Sequence, residues 1–390
     1  MRLKIPLGWS LALCCGAALA QMPTSQEIAA PDTDADSEAV TSVDEIEVVI
    51  DATSEDYPQY AQAVRTALGP LYRKLRESAE PRDWMLASQL LPLSLADIDP
   101  EFSATRRAEL LRNAAAAAPD DALVQWVAMT AMPGAGGGCA APQTLPANLD
   151  AVLRLESDNG LAWLPVLGQA WQSKDALAID SVLVRMAAAT RYDDHSIEYA
   201  KLMIELFRNH PDTMRALGAA SDVREAIDPV QYGLIMSQNQ NTPLRGLVPI
   251  CDRAAQPGAD ARRFAICIDL GQRLLREGRT AQISRIGDAV LMKASLSEDA
   301  GAVALRREIA WLFQALAEGD PVEQAHRYAD AVQRYGSELE AVRELAKARG
   351  IPPTPPPAWQ PSMLRAAYDG AAAPRDVEDA AADSDTEAED

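Results

Sequence analysis

Apolar side chains recur every three or four residues through most of the chain between residues 57 and 348. In residues 57–76 they fall on one stripe of a helix, at Tyr60, Val64, Leu68, Leu71 and Leu75. The alternation of apolar and polar residues that is typical of strands is almost absent from the same part of the chain. The pattern therefore predicts an all-α fold.

The same spacing, interrupted by turn residues, predicts a series of further helices. They are expected at 82–92, 103–118, 120–132, 148–156, 160–172, 175–189, 194–209, 211–219, 222–238, 243–252, 260–277, 281–294, 296–318 and 321–348. Ser295 and Glu298 form a capping-box pattern for the helix over 296–318. Short helices that each have one apolar face pack as antiparallel neighbours, which predicts an α-solenoid or an irregular helical-repeat array.

One segment carries a more specific pattern. Asp158-Asn159-Gly160 precedes Trp163, Leu167-Gly168 and Trp171, and the turn Ser173-Lys174-Asp175 leads into a second helix. This segment resembles the tetratricopeptide repeat, a helix–turn–helix of about 34 residues, although Trp163 lies four residues before Leu167 where the family has three. The resemblance implies a helical-repeat architecture and a partner-binding role. The layout of the whole chain is similar to that of exported helical-repeat proteins of Gram-negative bacteria.

The first twenty residues have the features of a secretory signal peptide. Arg2 and Lys4 form a positive start, residues 5–13 are mostly apolar, and Ala18-Leu19-Ala20 fits a cleavage site. Cleavage is expected after Ala20, and lipidation of Cys14 is the alternative. We therefore expect a periplasmic or secreted protein without stable membrane insertion.

The negative charge is concentrated in the two ends of the chain. The net charge is −21, and residues 21–64 hold eleven acidic residues and no Lys or Arg, while residues 376–390 hold eight acidic residues and no base. Such tails are usually disordered, and the alternative is a tail that binds cations or a basic partner. A net charge of this sign argues against nucleic acid as a partner. The short β-branched run Ile46–Ile50 could form an edge strand or dock on the body.

These shifts in composition predict four segments. They are a signal peptide over 1–20, an acidic disordered segment over 21–56, a helical-repeat body over 57–350, and a Pro-rich segment with an acidic tail over 351–390. The run Ile351–Pro357 contains five prolines and is expected to be extended. It either folds back over the body, with Trp359 as its anchor, or serves as a proline-rich docking peptide.

Cys251 and Cys267 form the sharpest candidate pair. Both fall on the apolar faces of predicted helices, and the turn Gln256-Pro257-Gly258 lies about midway between them. Equal distances from a hairpin turn place both residues at one level of two antiparallel helices, so the sequence predicts a structural disulfide. Two separate buried thiols are the alternative, and a redox-active pair would have Cys-x-x-Cys spacing.

The other candidate residues point to chemistry less clearly. Cys139 follows a glycine-rich loop and could be an exposed thiol. Asp193 and Asp194 are expected to cap a helix, and a metal site with His195 and Glu198 is the alternative. Trp126, Trp163, Trp171 and Trp311 are expected in the core, and a groove that stacks on a sugar or peptide is the alternative. The motifs of P-loops, Ser hydrolases and zinc proteases are absent.

We therefore expect a non-enzymatic exported helical-repeat protein that mediates protein or peptide interactions in the cell envelope. No catalytic residue, cofactor or metal site is predicted. The alternative is an envelope enzyme that acts on peptidoglycan or polysaccharide through acidic residues that the sequence does not identify. A third possibility is a structural or periplasm-buffering protein without a fixed partner.

Overall fold

The computed structural model of the protein describes seven parts of the chain. They are residues 57–90, 104–131, 147–220, 227–237, 247–254, 260–293 and 300–359. Within these ranges every regular element is helical, and the two sheet-like pairs, Asn159 with Arg191 and Tyr192 with Gly278, are isolated bridges. The all-α prediction is confirmed for this part of the chain.

The described residues form sixteen α-helices and a 3₁₀ helix at Gly160–Trp163. The α-helices are α1 Tyr57–Arg76, α2 Pro81–Gln89, α3 Ala104–Ala117, α4 Ala122–Ala131, α5 Leu149–Leu155, α6 Leu164–Gln172, α7 Ala176–Ala187, α8 Ser196–Arg208, α9 Pro211–Ala220, α10 Pro229–Ser237, α11 Leu247–Ala254, α12 Ala261–Glu277, α13 Ala281–Lys293, α14 Ala300–Leu316, α15 Pro321–Tyr335 and α16 Glu338–Ala348.

Proline and aspartate begin many of these helices. Helices α2, α9, α10 and α15 start with proline, whose fixed φ suits the first helical position. The side chains of Asp175, Asp260 and Asp320 accept a hydrogen bond from a first-turn N–H of α7, α12 and α15. Local sequence signals therefore set the starts of six of the sixteen described helices.

Two large apolar clusters fill the interior, and α4 contributes to both. The first joins α1, α2, α3, α8 and α9, with Leu111 fully buried. The second joins α5, α6 and α7 to α11, α12 and α13, with Leu270 fully buried. Val127 of α4 packs in the first cluster and Trp126, its neighbour in sequence, packs in the second. Helix α4 therefore couples the two cores.

Helices pack both with their neighbours in sequence and with distant ones. Consecutive helices pack closely in the pairs α2 with α3, α6 with α7, α12 with α13 and α15 with α16. Helix α9 also packs on α1, α10 on α8, and α12 on α7. The fold therefore combines local helix pairs with contacts that bring distant parts of the chain together.

The predicted disulfide is present between α11 and α12. Cys251 and Cys267 are bonded, their Cα atoms are 5.6 Å apart, and both side chains are fully buried in the second apolar cluster. The distance lies in the usual range for a disulfide. The turn that we used to infer it, Gln256–Gly258, lies outside the described residues.

The prediction of one helix over 321–348 is wrong, because the chain breaks at Gly336. This glycine has φ 67°, and its N–H donates to the carbonyl of Val332, which ends α15. Ser337 then caps α16 through the N–H of Glu340. The left-handed backbone conformation costs less conformational free energy for glycine than for other residues, so Gly336 is the physical reason for the break.

Two other predicted helices also differ from the structure. The helix expected over 160–172 begins as the 3₁₀ turn, and α6 follows with Pro165 in its first turn. The helix expected over 222–238 begins at Pro229, since residues 227 and 228 are not helical. In both cases proline fixes the start of the regular helix.

The chain divides into two compact units, Met1–Thr354 and Pro355–Asp390. In the first unit, the residues that follow α16 leave the helix, and the indole N–H of Trp311 donates to the carbonyl of Pro352 at 2.8 Å. In the second unit, the backbone N–H of Trp359 donates to the carbonyl of Pro356 at 2.9 Å. The proline-rich run is therefore not helical, as predicted.

Several predicted features lie outside the described residues. They are the signal peptide over 1–20, the acidic segments over 21–56 and 376–390, the run Ile46–Ile50, Cys139 with its glycine-rich loop, and the capping pair Ser295 and Glu298.

Among the described helices, none is long and apolar enough to cross a membrane.

Candidate functional site

Residues 190–195, in the connection between α7 and α8, pass from the surface into the interior, and their backbone is hydrogen-bonded on two sides. On one side, the N–H groups of Thr190 and Arg191 donate to the carbonyl of Asp158. On the other side, the N–H of Arg279 donates to the carbonyl of Tyr192 at 3.2 Å. We call residues 190–195 the central connection.

Arg279 lies in the connection between α12 and α13, and this connection is also bonded to the start of α16. The N–H of Glu338, the first residue of α16, donates to the carbonyl of Arg279 at 2.8 Å. One carboxylate oxygen of Glu338 also accepts the N–H of Ala281, and the other accepts the hydroxyl of Tyr328. Three connections between helices that are distant in sequence are therefore joined by hydrogen bonds.

A buried ion pair lies beside the central connection. Glu156 and His195 are 3% and 7% exposed, and His195 Nε2 is 3.1 Å from Glu156 Oε2. The amide of Asn159 donates to the same oxygen at 2.9 Å, and Arg191 Nη2 lies 2.7 Å from Oε1. The carboxylate of Glu156 is therefore surrounded by donors.

This environment sets the charges of the pair. Burial alone would raise the pKa of Glu156, but the hydrogen bonds from His195, Asn159 and Arg191 lower it to about 2. Burial would lower the pKa of His195, but the bonds to Glu156 and Glu198 raise it to about 9. Both groups are charged at neutral pH.

Two aspartates of the central connection have different roles. Asp193 accepts the N–H of His195 at 3.0 Å and forms an ion pair with Arg279. Asp194 is fully enclosed and accepts the N–H of Ser196 at 3.1 Å and the hydroxyl of Thr280 at 3.3 Å. Burial, with smaller effects from the charges of neighbouring carboxylates, raises the pKa of Asp194 to about 6.

The predicted capping role of these aspartates is only partly seen. Asp194 does bind the N–H of Ser196, the first residue of α8, but the N-cap position belongs to His195, whose side chain forms no cap. His195 has φ 58°, which is uncommon outside glycine. The left-handed backbone turns its ring toward Glu156 and places it 5.3 Å from the ring of Trp126.

The ion pair continues outward to an open cleft. Glu198 lies 3.6 Å from His195 Nδ1 and 3.3 Å from Arg82 Nη2, and Arg82 Nε lies 2.6 Å from Asp121. The cleft has a volume of about 460 Å³, and its lining includes Arg82, residues 118–123 and Glu198. A chain of alternating charges therefore links the interior to the surface.

The carboxylates at the cleft are arranged as ion pairs and not as groups that could exchange a proton with a substrate. The hydrogen bond from His195 lowers the pKa of Glu198, and the charge of Arg82 adds to this effect. A glycosidase acid needs a carboxyl group with a raised pKa, and a base for a nucleophile needs a neutral imidazole. Here Glu198 has a lowered pKa and is ionised, and His195 has a raised pKa and is protonated, so neither is in the charge state that these reactions need.

A second surface feature is the outer side of α7. Its inner side packs into the second apolar cluster, whereas Leu177 is 83% exposed and Val184 is 40% exposed. The two residues are seven positions apart, which places them on one side of the helix. The guanidinium of Arg185 lies 4.8 Å from the centre of the half-buried Trp163 ring. We call Leu177, Val184 and Arg185 the α7 outer face.

The other predicted site residues are dispersed. Trp126 is 2% exposed, as expected for a core residue, while Trp163, Trp171 and Trp311 are half-buried. In the part of the chain that the structure describes, no group of three or more His, Cys, Asp or Glu side chains is arranged to hold a metal ion. The structure therefore brings together Asp193, His195 and Glu198, but as ion pairs and hydrogen bonds.

Glu156, Arg191 and Arg279 were missed by the sequence analysis. Glu156 directly follows a helix, and Arg191 and Arg279 lie in connections between helices, where a single charged residue forms no recognisable local motif. Their partners lie far away in sequence, so the sequence contained no usable signal for them.

Comparison with known protein families, with curated proteins and with solved structures finds no match to this chain.

Proposed function

We propose that this chain is a non-enzymatic protein of the periplasm or the extracellular medium that binds a protein or peptide partner in the cell envelope. The exposure of Leu177 on the α7 outer face is the observation that carries the proposal. Burying a leucine side chain contributes about 1.5–3 kcal/mol, and a partner that covers Leu177 and Val184 would gain this energy.

The rigidity of α7 supports this proposal. Its inner residues Ile179, Leu183 and Met186 are buried, and Asp175 caps its first turn. Arg273 from α12 also donates to the carbonyl of Ala187 at the other end of the helix. A helix held at both ends presents its outer side with little loss of conformational entropy on binding.

A helical-repeat arrangement is the architecture that we propose for the body. The close packing of consecutive helices, as in α6 with α7 and α12 with α13, supports antiparallel pairs. The segment from Asp158 to Ala189, which resembles a tetratricopeptide repeat, includes the α7 outer face. Under this proposal the exposed side chains belong to a repeat that binds a partner.

The test uses the tagged full chain in a crosslinked envelope extract of the producing bacterium, with quantification of bound proteins by mass spectrometry. The double variant Leu177→Asp, Val184→Asp should lose a specific partner by at least tenfold. Val322 is 39% exposed on α15, so Val322→Asp is the matched control and should retain the partner. Equal recovery with both variants, or no protein above background with the unaltered chain, would overturn the proposal.

The alternative of an envelope enzyme has less support. The carboxylates of Asp121 and Glu198 that line the cleft are both bound to Arg82, and the pKa of Glu198 is lowered. A release of soluble fragments from purified peptidoglycan by the full chain, abolished by Glu198→Gln, would favour the enzyme instead.

A further inference from the structure

Polar bonds hold the break between α15 and α16 against the connection between α12 and α13. We call this break, residues 336–338, the C-terminal link. The guanidinium of Arg279 donates to the carbonyl of Gly336 at 2.9 Å, and the N–H of Glu338 donates to the carbonyl of Arg279 at 2.8 Å. The carboxylate of Glu338 accepts the N–H of Ala281. The two helices are therefore fastened to the rest of the chain at the residues that separate them.

The apolar contacts of α15 and α16 belong to small clusters. Helix α15 packs on α8 and α10 through Ala325 and Ala329, and α16 packs on α14 through Val342 and Ala346. Among the described residues, the two large apolar clusters contain no side chain of either helix. Segments with few buried apolar contacts are the ones that open locally without global unfolding. The pair is therefore suited to open while the two large clusters stay packed.

Two buried carboxylates lie side by side where the C-terminal link meets the central connection. Asp194 accepts the hydroxyl of Thr280, and Glu338 accepts the N–H of the next residue, Ala281. In the described part of the chain, neither carboxylate forms an ion pair with a basic side chain, whereas Asp193 binds both Arg279 and Arg191. When both are ionised, Asp194 and Glu338 therefore repel each other in a site with little access to water.

Other charged and titratable groups surround Asp194 on each element that packs against it. They are Arg191, Asp193 and His195 of the central connection, Glu198 of α8, Arg279 between α12 and α13, Arg285 of α13, Tyr328 of α15 and Glu338 of α16. Three of the cations are bound to other carboxylates, since His195 and Arg191 bind Glu156 and Arg279 binds Asp193. The fourth, Arg285, is exposed and acts on Tyr328. The surroundings therefore favour a proton on Asp194, whose pKa is raised to about 6.

We propose that Asp194 and the C-terminal link form a pH-dependent latch, which holds α15 and α16 in place when Asp194 carries a proton and loosens them when Asp194 is ionised. The proton removes the repulsion from Glu338 and the cost of a buried charge. A neutral carboxyl group still accepts hydrogen bonds, so the bonds from Ser196 and Thr280 remain. Neither the α7 outer face nor a partner is involved, and the latch does not depend on the proposed function.

Hydrogen–deuterium exchange of the full chain at pH 4.5 and 6.5, corrected for the intrinsic exchange rates and read by mass spectrometry, tests the latch. Peptides covering residues 336–342 report the N–H of Glu338, which is bonded to Arg279. Their protection should fall at least about fivefold as the pH rises. Linkage limits this fall to about twentyfold if opening returns the pKa of Asp194 from about 6 to 3.8. Peptides from α3, in the first apolar cluster, should change less than about twofold.

Two variants identify the group that titrates. Asp194→Asn keeps the shape of the side chain and removes the ionisation, so residues 336–342 should be protected equally at both pH values, within about twofold. His326→Gln is the matched control, because His326 lies 2.9 Å from Asp228, next to the start of α10, and an imidazole changes charge in the same pH range. This variant should keep the pH dependence of the unaltered chain within about twofold.

Three results would overturn the inference. The first is equal protection of residues 336–342 at both pH values in the unaltered chain. The second is a pH dependence that persists in Asp194→Asn and disappears in His326→Gln. The third is an equal fall in the protection of α3, which would report global unfolding and not local opening. The comparison of α3 with residues 336–342 needs only the unaltered chain, so the test stands even if Asp194→Asn does not fold.

Discussion

Glu156→Gln is the substitution for which the structure predicts the largest effect with the least change in shape. It keeps the size of the side chain and removes the charge that His195 and Arg191 share. The buried His195 would then lose its nearest counter-charge and keep only the more distant Glu198. Arg191 would lose one of its three carboxylate partners. Removing one member of a buried ion pair is destabilising.

The expected loss of unfolding free energy can be worked out from the pKa of either member of the pair. The pKa of Glu156 is lowered from 4.5 to about 2, and that of His195 is raised from 6.5 to about 9. Because a tenfold change in proton affinity corresponds to about 1.4 kcal/mol, each shift gives roughly 3 kcal/mol. Other partners contribute to each shift, namely Asn159 and Arg191 for Glu156, and Glu198 and Asp193 for His195. The interaction between the two side chains is therefore worth at most roughly 3 kcal/mol.

The pH dependence has a definite sign. The contribution of His195, whose pKa is raised on folding, is complete below pH 6.5 and is lost as the pH rises through 9. The contribution of Glu156, whose pKa is lowered, is complete above pH 4.5 and is lost as the pH falls toward 2. The pair therefore stabilises the fold most between pH 4.5 and 6.5.

The assay is urea unfolding of the unaltered chain, Glu156→Gln, His195→Gln and the double variant at pH 5.5 and 9.5. These four proteins form a double-mutant cycle, whose coupling free energy should be about 1–3 kcal/mol at pH 5.5 and should fall below about 1 kcal/mol at pH 9.5. Glu344→Gln is the control, because it removes an exposed ion pair with Lys347 and should change stability by less than about 0.5 kcal/mol. A coupling below about 1 kcal/mol at pH 5.5 would refute the argument.

Three further predictions concern the packing and the remaining titratable group. A Cβ atom at Gly287 would clash with the backbone of α12, so Gly287→Ala should lower the free energy of unfolding by about 2 kcal/mol or more. A Cβ atom at Gly168 would meet nothing within 4 Å, so Gly168→Ala should raise the melting temperature slightly. Replacing Cys251 and Cys267 with serine should cost roughly 3 kcal/mol in urea unfolding, and an unchanged midpoint would show that the disulfide does not constrain the chain. Asp194, with its pKa raised from 3.8 to about 6, costs stability as the pH rises between these values, so Asp194→Asn should flatten that decline, and an unchanged slope would contradict the assigned pKa.

The sequence predicted the features that depend on local signals. The apolar stripe of residues 57–76 predicted α1 with its observed bounds, and the start predicted at residue 321 is the start of α15. Cys251 and Cys267 were paired correctly because the two helices that carry them are neighbours in sequence. In each case the information lies within about twenty residues, where helix periodicity and turn chemistry determine the structure.

The features that depend on distant contacts were missed. Nothing in the sequence near Glu156 indicates that His195 and Arg191 will lie beside it, because they are 35 or more residues away and belong to a different connection. Gly336 was also overlooked, since a single glycine in a strong helical pattern is compatible with either a continuous helix or a break. The repeat resemblance of residues 158–189 and the binding role of the α7 outer face stay predictions.

The hydrogen bonds of the central connection also constrain the order in which the protein can fold. Asp158 and Tyr192 are synthesised early, but the chain of hydrogen bonds ends at Glu338, near the last helix. The ion pair of Glu156 and His195 can form once residue 195 has been made, whereas the carbonyl of Arg279 and the N–H of Ala281 wait for Glu338. The helix that begins at Glu338 therefore completes the bonds between the connections, and a chain that ends before residue 338 would leave the carbonyl of Arg279, the N–H of Ala281 and the hydroxyl of Tyr328 without this partner.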